Sequence, residues 1–450
     1  MAKSAAPRRR TANGVERVVA LSVSGYKSLC HDTRIEIAPL TILAGANSSG
    51  KSSAIQPLLL LKQTLDSPHD PGPLLLNGPN VKFTRSEQLL SHLLGEAGTQ
   101  DAFSVSIELR NAGVLTVTFR KVKAEGLGIH EMVHVHANER TVLRLGMSSE
   151  EIAEAMPKEV TDFLTSILSI KDKRMEMEVG RTRCFLHFGP ILPGSLVERL
   201  SVYRFSPSGP FQECLENAIH VPGLRGNPER TYETTAIGPK FPGTFEKYVA
   251  SVVNDWQLRD QGKLARLESW LKALGLTWRV TAKPVDETHV ELKVGRLLRS
   301  ARGGAHDLVS IADVGFGVSQ VLPVLVALIT ARSGQLVYLE QPEIHLHPKA
   351  QLAMAGILAD AARRGVVVVA ETHSELLLRG VQSLVAEGRL NPGLVRLHWF
   401  RRDRNGVTSV DSASLDHAGA FGDWPEDFGQ VSLNAESSYL DAAEKRRRAE

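Results

Sequence analysis

Between positions 45 and 52 the chain reads Gly-Ala-Asn-Ser-Ser-Gly-Lys-Ser, which satisfies every fixed position of the pattern G-x-x-x-x-G-K-[ST]. Such a loop needs a buried strand before it and a helix behind it. Residues 39–44 (PLTILA) suit the strand and residues 54–63 (AIQPLLLLKQ) the apolar helix. Gly45 and Gly50 let the backbone turn so that successive N–H groups converge on one concavity, and the positive end of the following helix adds to its pull on anions. Lys51 then reaches the β- and γ-phosphates, and the Ser52 hydroxyl can ligate Mg²⁺. Asn47, Ser48, Ser49 and Ser53 complete the loop. The spacing therefore predicts a nucleoside triphosphate site.

Composition sets the outer bounds. A chain of 450 residues can hold one to three domains, and 23% charged with 42% hydrophobic residues is ordinary for a globular protein. A net charge of +3 makes the whole no polycation, so any nucleic-acid surface has to be a local patch. The cysteines Cys30, Cys184 and Cys214 lie far apart without a CxxC pair, which fits a reducing cytosol and argues against a zinc ribbon. No apolar run reaches the roughly 18–20 residues of a spanning helix. The first fourteen residues carry arginines but no apolar segment of a secretory signal. The expected location is cytoplasmic, with residues 1–15 a disordered basic tail and the KRRR run at 445–448 a solvated helix end.

The expected fold class is α/β: a mostly parallel P-loop NTPase core flanked by an antiparallel β subdomain and a helical insertion. Residues 16–100 form one half of the core and 301–435 the other, with 101–300 inserted between them and 436–450 a charged tail. Strands are expected at 18–24 and 34–37. Alternating segments at 103–109, 114–122, 129–137 and 175–179 suggest a sheet wetted on one face. A helix opens at Ser148, with Glu151 at capping-box spacing. Period two puts His130, His134 and His136 on one strand face. The bland reading sends Val133 and Val135 to the core and the histidines to water, and a metal site is the alternative. Residues 221–232 (VPGLRGNPERTY) form a loop whose Arg225 and Arg230 can meet a phosphate or a carboxylate, or simply line the surface. Helices are expected at 245–256 and 263–274.

The second half of the site follows. Residues 313–325 read DVGFGVSQVLPVL, and two continuous β-branched strands end in polar groups: 335–339 in Glu340-Gln341-Pro342-Glu343, and 366–370 in Glu371-Thr372-His373. Such runs suit a sheet covered on both faces, and ligands bind at the carboxyl ends of its strands. An acid ending the first of them, Glu340, suits Mg²⁺ beside the phosphates. His345 and His347 are read as loop residues rather than zinc ligands.

The set GANSSGKS, VGFGVSQ, VYLEQPEIHLHP and ETHSELLLRG resembles the ABC-type ATPase heads of the SMC/RecF/OLD superfamily, and within it the compact bacterial AAA-type ATPases associated with defence genes. The tail at 424–428 (WPEDF) is similar too. The resemblance spans roughly residues 16–90 and 305–430 and implies ATP and Mg²⁺ as cofactors. It implies Lys51 and Ser52 as Walker A, and Gly315, Gly317 and Ser319 as a signature that caps the γ-phosphate of ATP on a second subunit. Glu340 would stand at the Walker-B acid and His373 at the switch histidine, with Gln88 the candidate metal-side Q-loop glutamine. Many such heads have Asp-Glu where this chain has Glu340-Gln341. A neutral amide takes no proton, although it can orient water, and Glu343 is the nearby carboxylate that can stand in. Slow hydrolysis is therefore expected.

The resemblance implies an ATP-sandwiched homodimer, or a higher oligomer, acting as sensor or regulator of an anti-phage module with a separate nuclease or toxin as effector. A RecF-like repair clamp on duplex DNA is one alternative, and a non-hydrolysing scaffold another. A transport cassette fits poorly, because about 260 residues separate Lys51 from the signature and no membrane-coupling segment appears.

Overall fold

The computed structural model describes residues 16–92, 100–122, 126–157, 160–161, 177–190, 204–296, 307–422 and 427–449. The expected N-terminal tail and residues 424–426 of the WPEDF segment lie outside them. The centre is a six-stranded sheet with spatial order Ile219–Val221, Leu336–Glu340, Val367–Glu371, Leu40–Gly45, Val395–Arg402 and Thr408–Ala413. The first five run parallel and the last is antiparallel. The strand ending in Glu371 is thus inserted between the phosphate-loop strand and the strand ending in Glu340, with Glu340 and Glu371 in register. That register brings the two acidic strand ends side by side.

Both faces of this sheet are covered, which is why its strands read as unbroken apolar runs. Val337 and Leu339 point into a core built with the helices Val249–Arg259, Gln261–Ala273, Phe316–Thr330 and Pro348–Arg363. Leu336 and Tyr338 point the other way, toward the helix Lys51–Asp66. That helix is buried nearly all round because a second sheet covers its far side. An apolar circumference, rather than one apolar stripe, is what such a position demands.

The second sheet is antiparallel, in the order Thr33–Glu36, Val18–Ser24, Ala102–Leu109, Gly113–Val122, Gly126–His136 and Glu139–Leu143. Its first two strands come from upstream of the phosphate loop, and the pairing of Ala20 with Glu108 crosses the boundary drawn at residue 100. Alternation is regular in Ala102–Leu109, where every second residue is buried. In Gly126–His136 it is not. The register shifts so that Thr118 faces Glu131 while Phe119 faces Ile129, leaving His130 as an extra residue. A bulge of this kind flips the inside–outside phase. Leu127, Ile129 and Met132 are therefore buried, and Val135 is 41% exposed. The expectation that Val133 and Val135 face the core, with the three histidines on the opposite face, is corrected by that one residue. His134 lies against Phe211 and its Nε2 meets the Ala112 carbonyl at 2.7 Å.

Elsewhere the local signals operate as chemistry requires. Ser148 and Glu151 form the reciprocal cap of the helix Ser149–Ala155. Asp260 caps Gln261–Ala273, and His347 caps Pro348–Arg363 through its ring. The strand expected at 175–179 begins at Met177 among the described residues and pairs with Phe185–Pro190. Residues 436–449 belong to a helix, Asp427–Ala449, so the charged tail is helical. Among the described residues no helix is long and apolar enough to cross a membrane.

Candidate active site

The phosphate loop is held in shape by contacts that leave no room for side chains. Gly45 has φ +142°, and a Cβ there would lie 2.3 Å from the Phe400 carbonyl oxygen. Gly50 has φ +104°, and its Cβ would lie 2.5 Å from Thr408 Oγ1. Thr408 braces the loop from behind, its hydroxyl bonding to Ser28 Oγ and the Ser49 carbonyl, both at 2.8 Å. Gly45→Ala combines a φ unsuited to L-residues with a backbone clash. It is expected to lower stability by roughly 2–4 kcal/mol, read as a drop in denaturation midpoint.

Around the loop lies a cleft of about 680 Å³, lined by Asn47, Ser48, Ser49, Gly50, Lys51, Ser52 and Ser53. Gln88, Gln341, Glu371, His373, Lys27 and Arg402 also border it. The cations Lys27, Lys51 and Arg402 suit an anionic ligand. Lys51 is buried, and its Nζ donates to the carbonyls of Gly45 (3.0 Å) and Ala46 (2.8 Å). Burial lowers its pKa, while the nearby Glu371 carboxylate opposes that shift. The Ser49 hydroxyl is buried and has no hydrogen-bond partner among the described residues. A buried orphan oxygen, a cradle closed to Cβ atoms and a lysine folded onto its own loop all fit a bound triphosphate.

Two acids end the neighbouring strands, and they differ in what they touch. Glu371 accepts from Ser52 Oγ with both oxygens, at 3.0 and 2.9 Å, and from Tyr338 OH at 2.9 Å. Burial raises its pKa, partly offset by Ser52, Tyr338 and Lys51. Glu340, expected beside the metal, instead binds His220 Nε2 at 3.1 Å and the Gly223 N–H at 2.9 Å. Its burial raises the pKa, but His220 and Gly223 outweigh that and bring it below the usual range. Asn80 fixes the proton on His220. Its amide donates to the Gly243 carbonyl and to Nδ1, so Nε2–H is left to donate to Glu340. The carboxylate that meets the Ser52 hydroxyl is therefore Glu371. At this strand end the sequence points to His373, and the acid two residues ahead of it is the signal for Glu371.

Gln341 borders the cleft in a left-handed conformation, φ +45°, which costs a non-glycine residue roughly 1–2 kcal/mol. Its N–H donates to the Glu371 carbonyl at 2.8 Å. Glu343 is buried, accepting from Thr372 Oγ1 (2.5 Å) and the His373 N–H (3.2 Å), and does not border the cleft. It anchors the histidine turn. Gln88 borders the cleft with its amide oxygen turned back onto the N–H groups of Thr84 and Arg85.

His373 has its pKa lowered by burial first and by Lys51 second, with the Gly45 backbone opposing. The free site therefore holds a neutral imidazole at neutral pH. A γ-phosphate beside it would raise that pKa, so ATP binding would take up a proton and affinity would fall as pH rises through the pKa of the complex. Calorimetry in two buffers of unlike ionisation enthalpy should register this uptake in the wild type. It should be reduced in His373→Gln.

The signature segment sits apart. Gly315 is the N-cap of the helix Phe316–Thr330, which has no side-chain cap hydrogen bond among the described residues, and Phe316 is 51% exposed. Ser319 Oγ bonds back to the Phe316 carbonyl at 3.1 Å. Gly315, Gly317 and Ser319 do not border the phosphate-loop cleft.

Residues 197–379, less than half of the chain, match a family model described as "AAA domain, putative AbiEii toxin, Type IV TA system". The match runs from ahead of Arg225 through the signature, Glu340 and His373, and reaches further into the middle of the chain than the motifs did. A comparison with curated proteins returned no match. Similar solved structures include an SMC head bound to the C-winged helix domain of ScpA, at 12% identity over 89% of this chain and 99% of that one, TM-score 0.45. They also include the SMC head domain from Thermotoga maritima, at 12% identity over 88% and 98%, TM-score 0.37. A third is an Smc head with an extended coiled coil bound to the C-terminal domain of ScpA, derived from Pyrococcus furiosus, at 12% identity over 88% and 96%, TM-score 0.44.

Proposed function

We propose that this chain is an ABC-type ATPase that pairs head to tail around two Mg²⁺-ATP and serves as the nucleotide-gated regulator of a bacterial defence module. The observation that carries this reading is the separation of the site into two parts. Lys51, Ser52, Glu371, Gln341 and His373 gather around one cleft, while the signature helix end is exposed outside it. A second copy turned head to tail would bring that helix end onto the γ-phosphate. ATP would then glue the dimer, and loss of the γ-phosphate would loosen it.

Mg²⁺ would be held through Ser52, whose hydroxyl proton is directed to Glu371. The metal would neutralise charge developing on the phosphates. Gln341 orients water without accepting its proton, so turnover is slow and the ATP-bound state long-lived. The defence role rests on the family description, which names a putative toxin of a type IV toxin–antitoxin system, and on the motif resemblance. A separately encoded effector and a cytoplasmic location belong to the same reading.

Turnover and mass measured together test it, for wild type and Lys51→Ala, with and without duplex DNA. Slow turnover, an ATP-dependent doubling of mass and indifference to DNA are expected. Hydrolysis stimulated by DNA and steeply weakened by salt would move the protein to the repair-clamp reading. A Lys51→Ala chain that still assembles on ATP would sink both.

A further inference from the structure

The Pro-, Gly- and Arg-rich loop at 221–232 touches both parts of the site just described, and no role in nucleotide binding accounts for it. Arg225 is buried, with 7% of its surface exposed. One guanidinium nitrogen donates to the Gln320 carbonyl of the signature helix at 2.8 Å. The second terminal nitrogen donates to the carbonyls of Glu340 (2.7 Å) and Gln341 (3.1 Å) at the end of the acidic strand. The contact is reciprocated, since Gln320 Nε2 donates to the Gly226 carbonyl at 2.8 Å. Further along, Arg230 forks onto Asp313, two residues ahead of Gly315, at 2.8 and 3.3 Å. Behind, Gly223 holds the Glu340 carboxylate.

We infer that Arg225 is a positioning residue, and that its loop rigidly couples occupation of a chain's own ATP cleft to the pose of the signature segment it offers to a partner. The inference rests on the ATP-sandwich reading and extends it. The strained Gln341 is the point at which occupation of the cleft reaches this loop. Arg225 grips the carbonyls of Glu340 and Gln341, on either side of the Gln341 Cα that takes the left-handed conformation, so any shift of Gln341 toward a γ-phosphate is passed to the arginine. From there it passes to the first turns of the signature helix. A planar fork can hold carbonyls on two elements at once; the compact ammonium of lysine cannot do so with the same geometry. Burial lowers the Arg225 pKa to about 10, and Glu343, Glu340 and Glu246 oppose that shift, so the group remains a cation at neutral pH.

The test is hydrogen exchange over residues 313–322, with and without Mg²⁺-ATP, on full-length protein dilute enough to be monomeric by light scattering. ATP affinity is measured on the same samples. In the wild type ATP should slow exchange in this segment. Arg225→Lys should still bind ATP but lose the response and weaken ATP-dependent pairing by about tenfold, within the usual range of intersite coupling. Because a buried substitution can perturb folding, the exposed pair supplies a second arm. Arg230→Asp alone should weaken pairing by about two- to fivefold, as exposed ion pairs contribute little. Combining Arg230→Asp with Asp313→Arg should restore it, a recovery that general loss of structure would not give. Equal ATP responses in wild type, Arg225→Lys and Arg230→Asp would overturn the inference, as would a wild-type segment indifferent to bound ATP. The exchange response is read on monomers, so a protein that never dimerises would defeat the sandwich reading yet leave the coupling decided either way.

Discussion

Lys51→Ala should abolish measurable ATP turnover without unfolding the protein. In the free chain the ammonium is buried among backbone carbonyls, where desolvation lowers its pKa. Removing it deletes two hydrogen bonds but also relieves a buried charge, so the ligand-free melting temperature should move little. The effect falls on the nucleotide. A preorganised donor aimed at charge that develops in the transition state is worth about 10²–10³-fold in kcat. Binding suffers as well, and a thermal shift reads it: at a ligand concentration of about 100 Kd the wild type should gain about 2.7 kcal/mol. Lys51→Ala should gain almost nothing under the same conditions. A variant melting below wild type without ATP, and shifted by ATP to the same extent, would show that Lys51 is a structural residue instead.

Much of this site was legible because the phosphate loop is dictated by local backbone chemistry. Gly45 and Gly50 are glycines because the Phe400 carbonyl and the Thr408 side chain approach where a Cβ would stand. The sequence exposes such a requirement even though the approaching groups lie some 350 residues away. The parallel core was readable for a similar reason, since strands such as Val367–Glu371 are buried throughout and composed accordingly. What could not be read was anything set by register across the sheet. Only the interleaving of Val367–Glu371 between two other strands puts Glu371, rather than Glu340, on Ser52. The histidine strand misled for a related reason, because a bulge at His130 reverses the facing of every residue after it and leaves no mark in composition. Arg225 presented a further difficulty. Its partners are backbone carbonyls, which every residue possesses, so no pairing pattern announces them.

The division of labour between the two acids has a measurable consequence. Glu371→Gln should raise the Mg²⁺ concentration needed for half-maximal turnover by about 10–100-fold, the usual penalty for losing a group that orients a metal ligand. The amide oxygen can still accept from Ser52 or Tyr338, so the fold survives, but the charge that directs the Ser52 proton and would face the proposed metal is gone. Glu340→Gln should have a smaller effect on Mg²⁺, because its carboxylate is committed to His220 and Gly223. Its cost should appear in stability at neutral pH. The folded-state pKa of Glu340 is depressed, so the stabilisation it provides is present above the unfolded pKa and lost as pH falls through the folded one. Glu371 behaves oppositely. Its folded pKa is raised, so it opposes folding at neutral pH and favours it under acid, and Glu371→Gln should stabilise the ligand-free protein while weakening its hold on the metal. A gain in melting temperature paired with a higher Mg²⁺ requirement would mark Glu371 as a residue kept for function at the expense of stability. If Glu340→Gln instead produced the larger Mg²⁺ shift, the metal would lie one strand further from the phosphate loop, and the Ser52 hydroxyl would be donating to an acid that plays no part in holding it.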